Sequence, residues 1–185
     1  MARLGFDLSV NDYNRDLFAE RKLVLELREN EGLHHIALKV LAMILYFDAK
    51  LQIEPNFEDD KYKPDLLLRA DDYRPALWIE CGQCRVEKLD KVSFRYNEAR
   101  IVMIRRTDRE ARDIFERSHG EVRRLHGIEF IGFDNGFCDA LAETLRGRND
   151  IIGIVSGDEL QVVAGGVTHS THIHRYHKEP EVRIR

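Results

Sequence analysis

The stretch that decides the fold is KPDLLLRADDYRPALWIECG, residues 63–82. Its two apolar runs, DLLLR and ALWIE, each have the length of a short buried strand. The residues between them, 70–75, include the aspartates and the proline typical of a chain reversal. We therefore predict two neighbouring antiparallel strands, with Asp65 beginning the first and Glu80 ending the second.

The sequence around this stretch alternates between helical and extended patterns. Apolar residues on nearly every face predict a helix buried between layers from Glu31 to about Phe47, capped by Asn30. The other predicted elements are strands over 51–54, 65–69, 76–80, 100–105 and 128–133, and helices over 86–98, 107–117 and 137–145. Helical crossovers between strands favour an α/β fold with a mixed central sheet flanked by helices.

Both ends of the chain have the alternating pattern of half-buried strands. We predict two strands within residues 2–28 and three within residues 150–176. These N- and C-terminal β-hairpin additions should extend the central sheet or cover one of its edges. Because no tract resembles a linker, we predict a single domain over 1–185, with its core at 31–134.

Composition limits the class of protein. The apolar fraction of 43% is enough to form a core and too high for a disordered chain. The longest apolar run is interrupted by Lys39 and is too short to cross a bilayer, so we expect no membrane segment. Three cysteines, without a recognisable export signal, predict reduced thiols and a cytoplasmic location. The sequence carries no signal for an oligomeric state.

The strongest chemical signal is the acid pair Asp65 and Glu80. If the two strand ends meet, carboxylates about 4 Å apart repel by roughly 4 kcal/mol at an effective dielectric constant of about 20. Such a pair shares a proton or holds a cation. Carboxylate oxygens with room for water suit Mg²⁺ or Mn²⁺, which can polarise a phosphate and activate a water. The simpler alternative is a pair of ordinary solvated acids.

Residues 63–82, with a buried helix before them and a helix and the strand RIVMIR after them, resemble the core of the PD-(D/E)XK nuclease superfamily. Within it, the chain resembles the YaeQ-like branch of small bacterial proteins. The resemblance implies a restriction-endonuclease-like core and a metal-dependent phosphodiesterase acting on nucleic acid. By resemblance, Asp65 and Glu80 would bind Mg²⁺ or Mn²⁺, and Glu31 would add a carboxylate. Alternatively, Glu31 only stabilises the start of its helix.

The chain departs from the superfamily motif at Gly82, where the resemblance implies a lysine. Lys88 and Lys91, which share one face of the following helix, are the candidates to stabilise the phosphate charge instead. Alternatively, these two lysines only form a solvated basic stripe on the surface of the helix. The missing lysine favours a second hypothesis, a non-catalytic protein of the same fold that binds nucleic acid or a protein partner.

Cys81 and Cys84 support a third hypothesis, because CGQC lies where a thioredoxin-like redox pair would lie, between a strand and a helix. The sequence has no proline between Pro75 and Pro180, so it lacks the later cis-proline of that fold. Ordinary structural thiols are therefore the preferred interpretation.

Histidines form two further groups. Near the carboxyl end, His172 and His174 would face the same side of a strand and could chelate a metal, although an exposed polar face is the simpler interpretation. His34 and His35 begin the first helix beside Glu31. The spacing does not decide which of these two faces the acid pair.

Overall fold

The computed structural model describes residues 2–57 and 62–179, which form one mixed sheet with helices on both faces. The strands are β1 (Ala2–Asp12), β2 (Leu17–Leu27), β3 (Gln52–Ile53), β4 (Leu66–Arg69), β5 (Pro75–Cys81), β6 (Arg100–Ile104), β7 (Ile128–Phe133), β8 (Arg148–Ser156), β9 (Glu159–Ala164) and β10 (Val167–His177). The helices are α1 (Leu33–Leu45), α2 (Val86–Arg95), α3 (Asp108–Ser118) and α4 (Phe137–Thr144), with a short 3-10 turn at Leu125–Gly127. The prediction of a mixed sheet flanked by helices is confirmed.

In the described residues, the ten strands follow the order β2-β1-β8-β9-β10-β7-β6-β5-β4-β3. The pairs β1–β8, β5–β6 and β6–β7 are parallel, and the other neighbours are antiparallel. The carboxyl-terminal strands, predicted as peripheral, lie between β1 and β7 because β8 pairs with β1 and β10 pairs with β7. They therefore join the amino-terminal hairpin to the remaining strands.

Helix α1 lies at the centre of the larger core. Every residue from Ile36 to Leu45 is buried, including Lys39. Its partners come from strands along most of the sheet, which curls around the helix. The burial predicted for this helix is confirmed, but its predicted beginning is wrong. Gly32, in an extended conformation, is the N-cap, so Asn30 does not cap α1 and Glu31 precedes it.

The opposite face of the sheet carries α2 and α3. A second core there contains Leu67, Trp78 and Leu89, together with apolar residues of β6 and β7. Thr107 caps the start of α3, because its side chain accepts a hydrogen bond from the Glu110 amide. None of the described helices is long and apolar enough to span a membrane.

Candidate functional site

The strands β4 and β5 bring the predicted acid pair to one end of the sheet. Leu66 is paired with Ile79, and the Asp65 amide donates to the Ile79 carbonyl at 3.0 Å. The Cys81 amide, which directly follows Glu80, donates to Asp65 Oδ2 at 2.7 Å. The two acids therefore lie at adjacent strand ends, as their positions in the sequence predict.

Glu80 is buried on the α2 side of the sheet. Its Oε1 accepts a hydrogen bond from Trp78 Nε1 at 2.8 Å and lies 2.7 Å from Lys88 Nζ. Burial raises the pKa of Glu80, the Lys88 ammonium opposes this effect, and the negative charge of Asp65 adds to it. Glu80 is therefore an acid whose ionised form needs a nearby cation.

A second group of charges lies on the α1 side, and we call it the Lys39 cluster: Lys39, His35, Glu31, Glu54 and Asp65. The Lys39 side chain is only 1% exposed, and its Nζ lies 2.6 Å from Glu31 and 2.5 Å from Glu54. Burial acts to lower the pKa of Lys39, but the hydrogen bonds to the two glutamates raise it above its usual value. Lys39 is therefore held as an ammonium ion.

His35 connects two carboxylates of the Lys39 cluster. Its Nε2 lies 3.0 Å from Glu31 Oε1 and 3.2 Å from Asp65 Oδ1. Burial acts to raise the pKa of Asp65, but the bonds from His35 and the Cys81 amide, with the Lys39 charge, lower it. Of the two histidines at the start of α1, His35 is thus the one that faces the acids.

Sequence reasoning missed Lys39 and Glu54 as members of this site. The available signal was a lone lysine in an otherwise apolar helix, because a buried lysine requires charged partners. The partners were not readable from the sequence. Glu54 follows β3 and meets Asp65 only through the β3–β4 pairing, in which the Glu54 amide donates to the Asp65 carbonyl at 2.7 Å.

The two candidate lysines of α2 have different surroundings. Lys88 reaches Glu80 and also donates to the Lys63 carbonyl at 3.2 Å. Lys91 is exposed and makes no described contact with the acids. At Gly82, φ is +79°, and an added Cβ would lie 3.0 Å from His35 Nδ1. The space next to this glycine is therefore taken by His35.

The fit of this site to a metal ion depends on the number of ligands. Among the described residues, no group of three or more His, Cys, Asp or Glu side chains is arranged to hold a metal. Mg²⁺ commonly uses only one or two protein carboxylates and completes its coordination with water and substrate. Asp65 and Glu80 are the type and number of ligands that such a magnesium site requires. Lys88, which pairs with Glu80, would compete with the metal ion for that carboxylate.

Comparison with known proteins assigns the chain to a family. The family model described as YaeQ protein matches residues 3–173. This chain belongs to the YaeQ family. It is similar to the crystal structure of YaeQ protein from Xanthomonas axonopodis pv. citri, with a TM-score of 0.83, 21% identity, and coverage of 97% of this chain and 99% of that chain. It is also similar to YaeQ protein from Pseudomonas syringae, with a TM-score of 0.83, 17% identity, and coverage of 96% and 97%.

These comparisons establish YaeQ membership and the shared fold. No curated protein matches the chain. The wider resemblance to PD-(D/E)XK nucleases and its restriction-endonuclease-like core stays a prediction.

The CGQC cysteines of this YaeQ-family chain lack the environment of a reactive pair. All three cysteines are free. Burial raises the pKa of Cys81 well above its usual value and that of Cys84 to about 12. A redox pair instead needs a stabilised thiolate. Burial therefore acts against the thiol chemistry that the spacing suggested.

The histidines near the carboxyl end form another group, which we call the Asp134 cluster: Asp134, His172 and His174. His174 Nε2 lies 2.7 Å from Asp134 Oδ1, and His172 Nδ1 lies 3.0 Å from Oδ2. The bonds from His174 and from the His172 amide lower the pKa of Asp134 to about 2. Both imidazoles are thus directed at one carboxylate.

A cleft of about 550 Å³ opens beside the Lys39 cluster in this YaeQ-family fold. We call it the arginine cleft. Its lining includes Gly32, His34, His35, Gly82, Arg105 and Arg106. The cleft thus lies between the start of α1 and the loop that connects β6 to α3, and its lining also contains the acids Glu31 and Glu110.

Proposed function

We propose that this YaeQ-family protein is a metal-dependent phosphodiesterase acting on nucleic acid. The observation that carries the proposal is that Asp65 and Glu80 occupy adjacent strand ends, where their charges interact, near a cleft lined by two arginines. Paired carboxylates suit a hard divalent cation, and arginines suit the phosphate groups of a substrate.

The electrostatics of the acid pair support a cation. Burial raises the pKa of Glu80, and the nearby negative charge of Asp65 raises it further; the Lys88 ammonium offsets only part of this shift. A divalent ion at these strand ends would offset both effects, because it supplies positive charge where the charges of the two acids act on each other. When bound, Mg²⁺ or Mn²⁺ would polarise a phosphate and activate a water.

The protein side chains would have separate roles. Asp65 and Glu80 would hold the ion, and Lys88 would stabilise developing phosphate charge from α2. Glu31 would accept a proton or orient a water, since it is one of the residues that line the cleft. Lys39 would be a positioning residue, because it holds Glu31 and Glu54 at the site without touching a substrate.

A second candidate function is a non-catalytic protein of the same fold that binds nucleic acid or a protein partner. One observation favours it: lysine ammonium groups already form ion pairs with the carboxylates of the site, Lys39 with Glu31 and Lys88 with Glu80. In this alternative, the charges stabilise the fold and the surface alone binds the partner.

Calorimetric titration with Mg²⁺ and with Mn²⁺ tests the metal site. We expect the parent protein to bind, and Asp65→Asn and Glu80→Gln to lose at least about tenfold in affinity, since each removes one charged ligand. Asp71→Asn is the matched control, because Asp71 is almost fully exposed and pairs with Lys50 at the surface. Circular dichroism verifies that each variant is folded.

The outcomes separate the two functions. Parallel assays with single-stranded DNA, duplex DNA and RNA measure hydrolysis in the presence of Mn²⁺. No metal binding by the parent removes the catalytic proposal. Metal binding that depends on Asp65 and Glu80, without hydrolysis of any of the three polymers, favours the non-catalytic alternative.

A further inference from the structure

The arginine cleft contains a guanidinium whose charge is poorly compensated. The Arg105 side chain is 13% exposed, and its Nη1 donates to the Gly82 carbonyl at 2.6 Å. Its Nε is buried and has no hydrogen-bond partner among residues 2–57 and 62–179, and Glu110 Oε2 lies 3.6 Å from it. A buried charged donor without an acceptor is costly unless a ligand supplies negative charge nearby.

The carboxylate nearest to Arg105 is already used by another arginine. Glu110 Oε1 lies 3.1 Å from Arg106 Nη2, and Glu110 Oε2 accepts a hydrogen bond from the Arg106 amide. Glu110 therefore serves two guanidinium groups, and Arg106 Nη1 also lies 3.5 Å from Asp139 Oδ1. Burial lowers the pKa of Arg105, the charge of Glu110 opposes this effect, and the positive charges of Arg117 and Arg106 add to it, so the pKa stays below its usual value. Asp139 is not part of the cleft lining, so this wall presents two arginines and one carboxylate to the cleft.

The opposite wall does not neutralise that excess. Glu31 is the acid on that side, and its carboxylate is bound by Lys39 and His35. Helix α1 begins there at Gly32, which supplies no side-chain acceptor to the first amides of the helix. The positive end of the helix dipole therefore adds to the field of the arginines.

We propose that the arginine cleft binds a phosphate group of a nucleic-acid strand, with Arg105 and Arg106 as its cationic contacts. Arginine presents a planar fork of donors that matches the oxygens of a phosphate. Phosphate diesters keep their negative charge at neutral pH, so they would supply what the cleft lacks. The inference rests on the proposed function for the statement that this phosphate belongs to a substrate.

Binding without a metal ion tests the inference separately from catalysis. Fluorescence anisotropy in EDTA measures the affinity for a single-stranded DNA of about a dozen nucleotides, with inorganic phosphate as a competitor. We expect Arg105→Gln and Arg106→Gln each to weaken binding about tenfold, because each removes one charge-assisted contact. Each should also lower the dependence of affinity on salt.

Two further variants complete the test, one as a control for the loss of a charge and one that removes a competing carboxylate. Arg109→Gln removes the same charge from α3 at a side chain that is 90% exposed and pairs with Asp113, and it should change the affinity less than about twofold. Glu110→Gln removes the carboxylate that competes for both arginines, and it should strengthen DNA binding severalfold.

Three results would overturn the inference. One is an equal loss of affinity in Arg109→Gln and Arg106→Gln, which would indicate diffuse attraction. Another is an unchanged affinity in both cleft variants. A third is binding of inorganic phosphate without binding of DNA, which would assign the cleft to a free phosphate or nucleotide. If the protein binds DNA without metal but hydrolyses no polymer, the inference about the arginine cleft stands and only the catalytic proposal is removed.

Discussion

The Lys39 cluster and the Asp134 cluster use the same chemistry in different surroundings. In the first, Lys39 Nζ lies 2.5–2.6 Å from two glutamates, and its side chain is 1% exposed. In the second, Asp134 lies 2.7–3.0 Å from two imidazoles, and its side chain is 43% exposed. The distances are similar, so exposure to water is what distinguishes the two.

This difference in exposure decides how much each interaction matters. A buried charge that loses its partners keeps its desolvation cost and has no water to replace them. An exposed charge that loses a partner is resolvated, and salt screens what remains. The Lys39 cluster should therefore contribute strongly to the integrity of the fold, and the Asp134 cluster should contribute weakly.

The largest expected effect is that of Lys39→Met. The substitution leaves Glu31 and Glu54 facing each other without their ammonium ion, and we expect the free energy of unfolding to fall by about 3–5 kcal/mol. Urea denaturation followed by circular dichroism measures this value. Lys50→Met is the control, because Lys50 is mostly exposed, and it should change stability by less than about 0.5 kcal/mol. Equal costs at the two positions would contradict the comparison.

An intermediate effect is expected for Lys88→Met, because Lys88 is half-buried and its partner Glu80 is buried. We expect the free energy of unfolding to fall by about 1–3 kcal/mol at pH 7, where the ionised Glu80 carboxylate would have no cation.

The pH dependence of this loss gives a sharper test. Burial raises the pKa of Glu80 in the folded protein, so its favourable contribution is fully present at low pH and is lost as the pH rises through the folded-state pKa. Lys88 is therefore needed chiefly when Glu80 is ionised. The cost of Lys88→Met should shrink toward pH 4. A cost that stays constant between pH 4 and pH 7 would show that Lys88 acts through packing.

The smallest effect is expected for Asp134→Asn. Because this carboxylate is well exposed, we expect the free energy of unfolding to fall by less than about 1 kcal/mol at low ionic strength. The decrease should be smaller still in about 1 M salt. Thermal unfolding at the two salt concentrations measures it.

The pH range of the Asp134 contribution follows from its lowered pKa of about 2. The stabilisation is present above the ordinary aspartate pKa, near pH 4, and is lost as the pH falls toward 2. If Asp134→Asn instead lowers the free energy of unfolding by several kcal/mol at both salt concentrations, the exposed Asp134 cluster behaves like the buried Lys39 cluster.

The accuracy of the sequence predictions depended on whether the signal was local. The hairpin of β4 and β5, the strands β6 and β7 and the burial of α1 were predictable, because apolar periodicity reports local structure. The beginning of α1 was not, since an asparagine favourable for capping was followed by a glycine that took that position. The position of β8, β9 and β10 between β1 and β7 could not be predicted from the sequence either, because strand order depends on pairing between distant segments.

For the candidate site, the sequence by itself determined that Asp65 and Glu80 would lie at adjacent strand ends. A short reversal between two apolar runs leaves few other arrangements. Only the tertiary structure decided which charges surround them. Lys39 meets Glu54, His35 meets Asp65, and Lys88 meets Glu80 because separate elements pack against one another. Backbone periodicity acts over a few residues, whereas the partner of a buried charge is chosen by the packing of the whole chain.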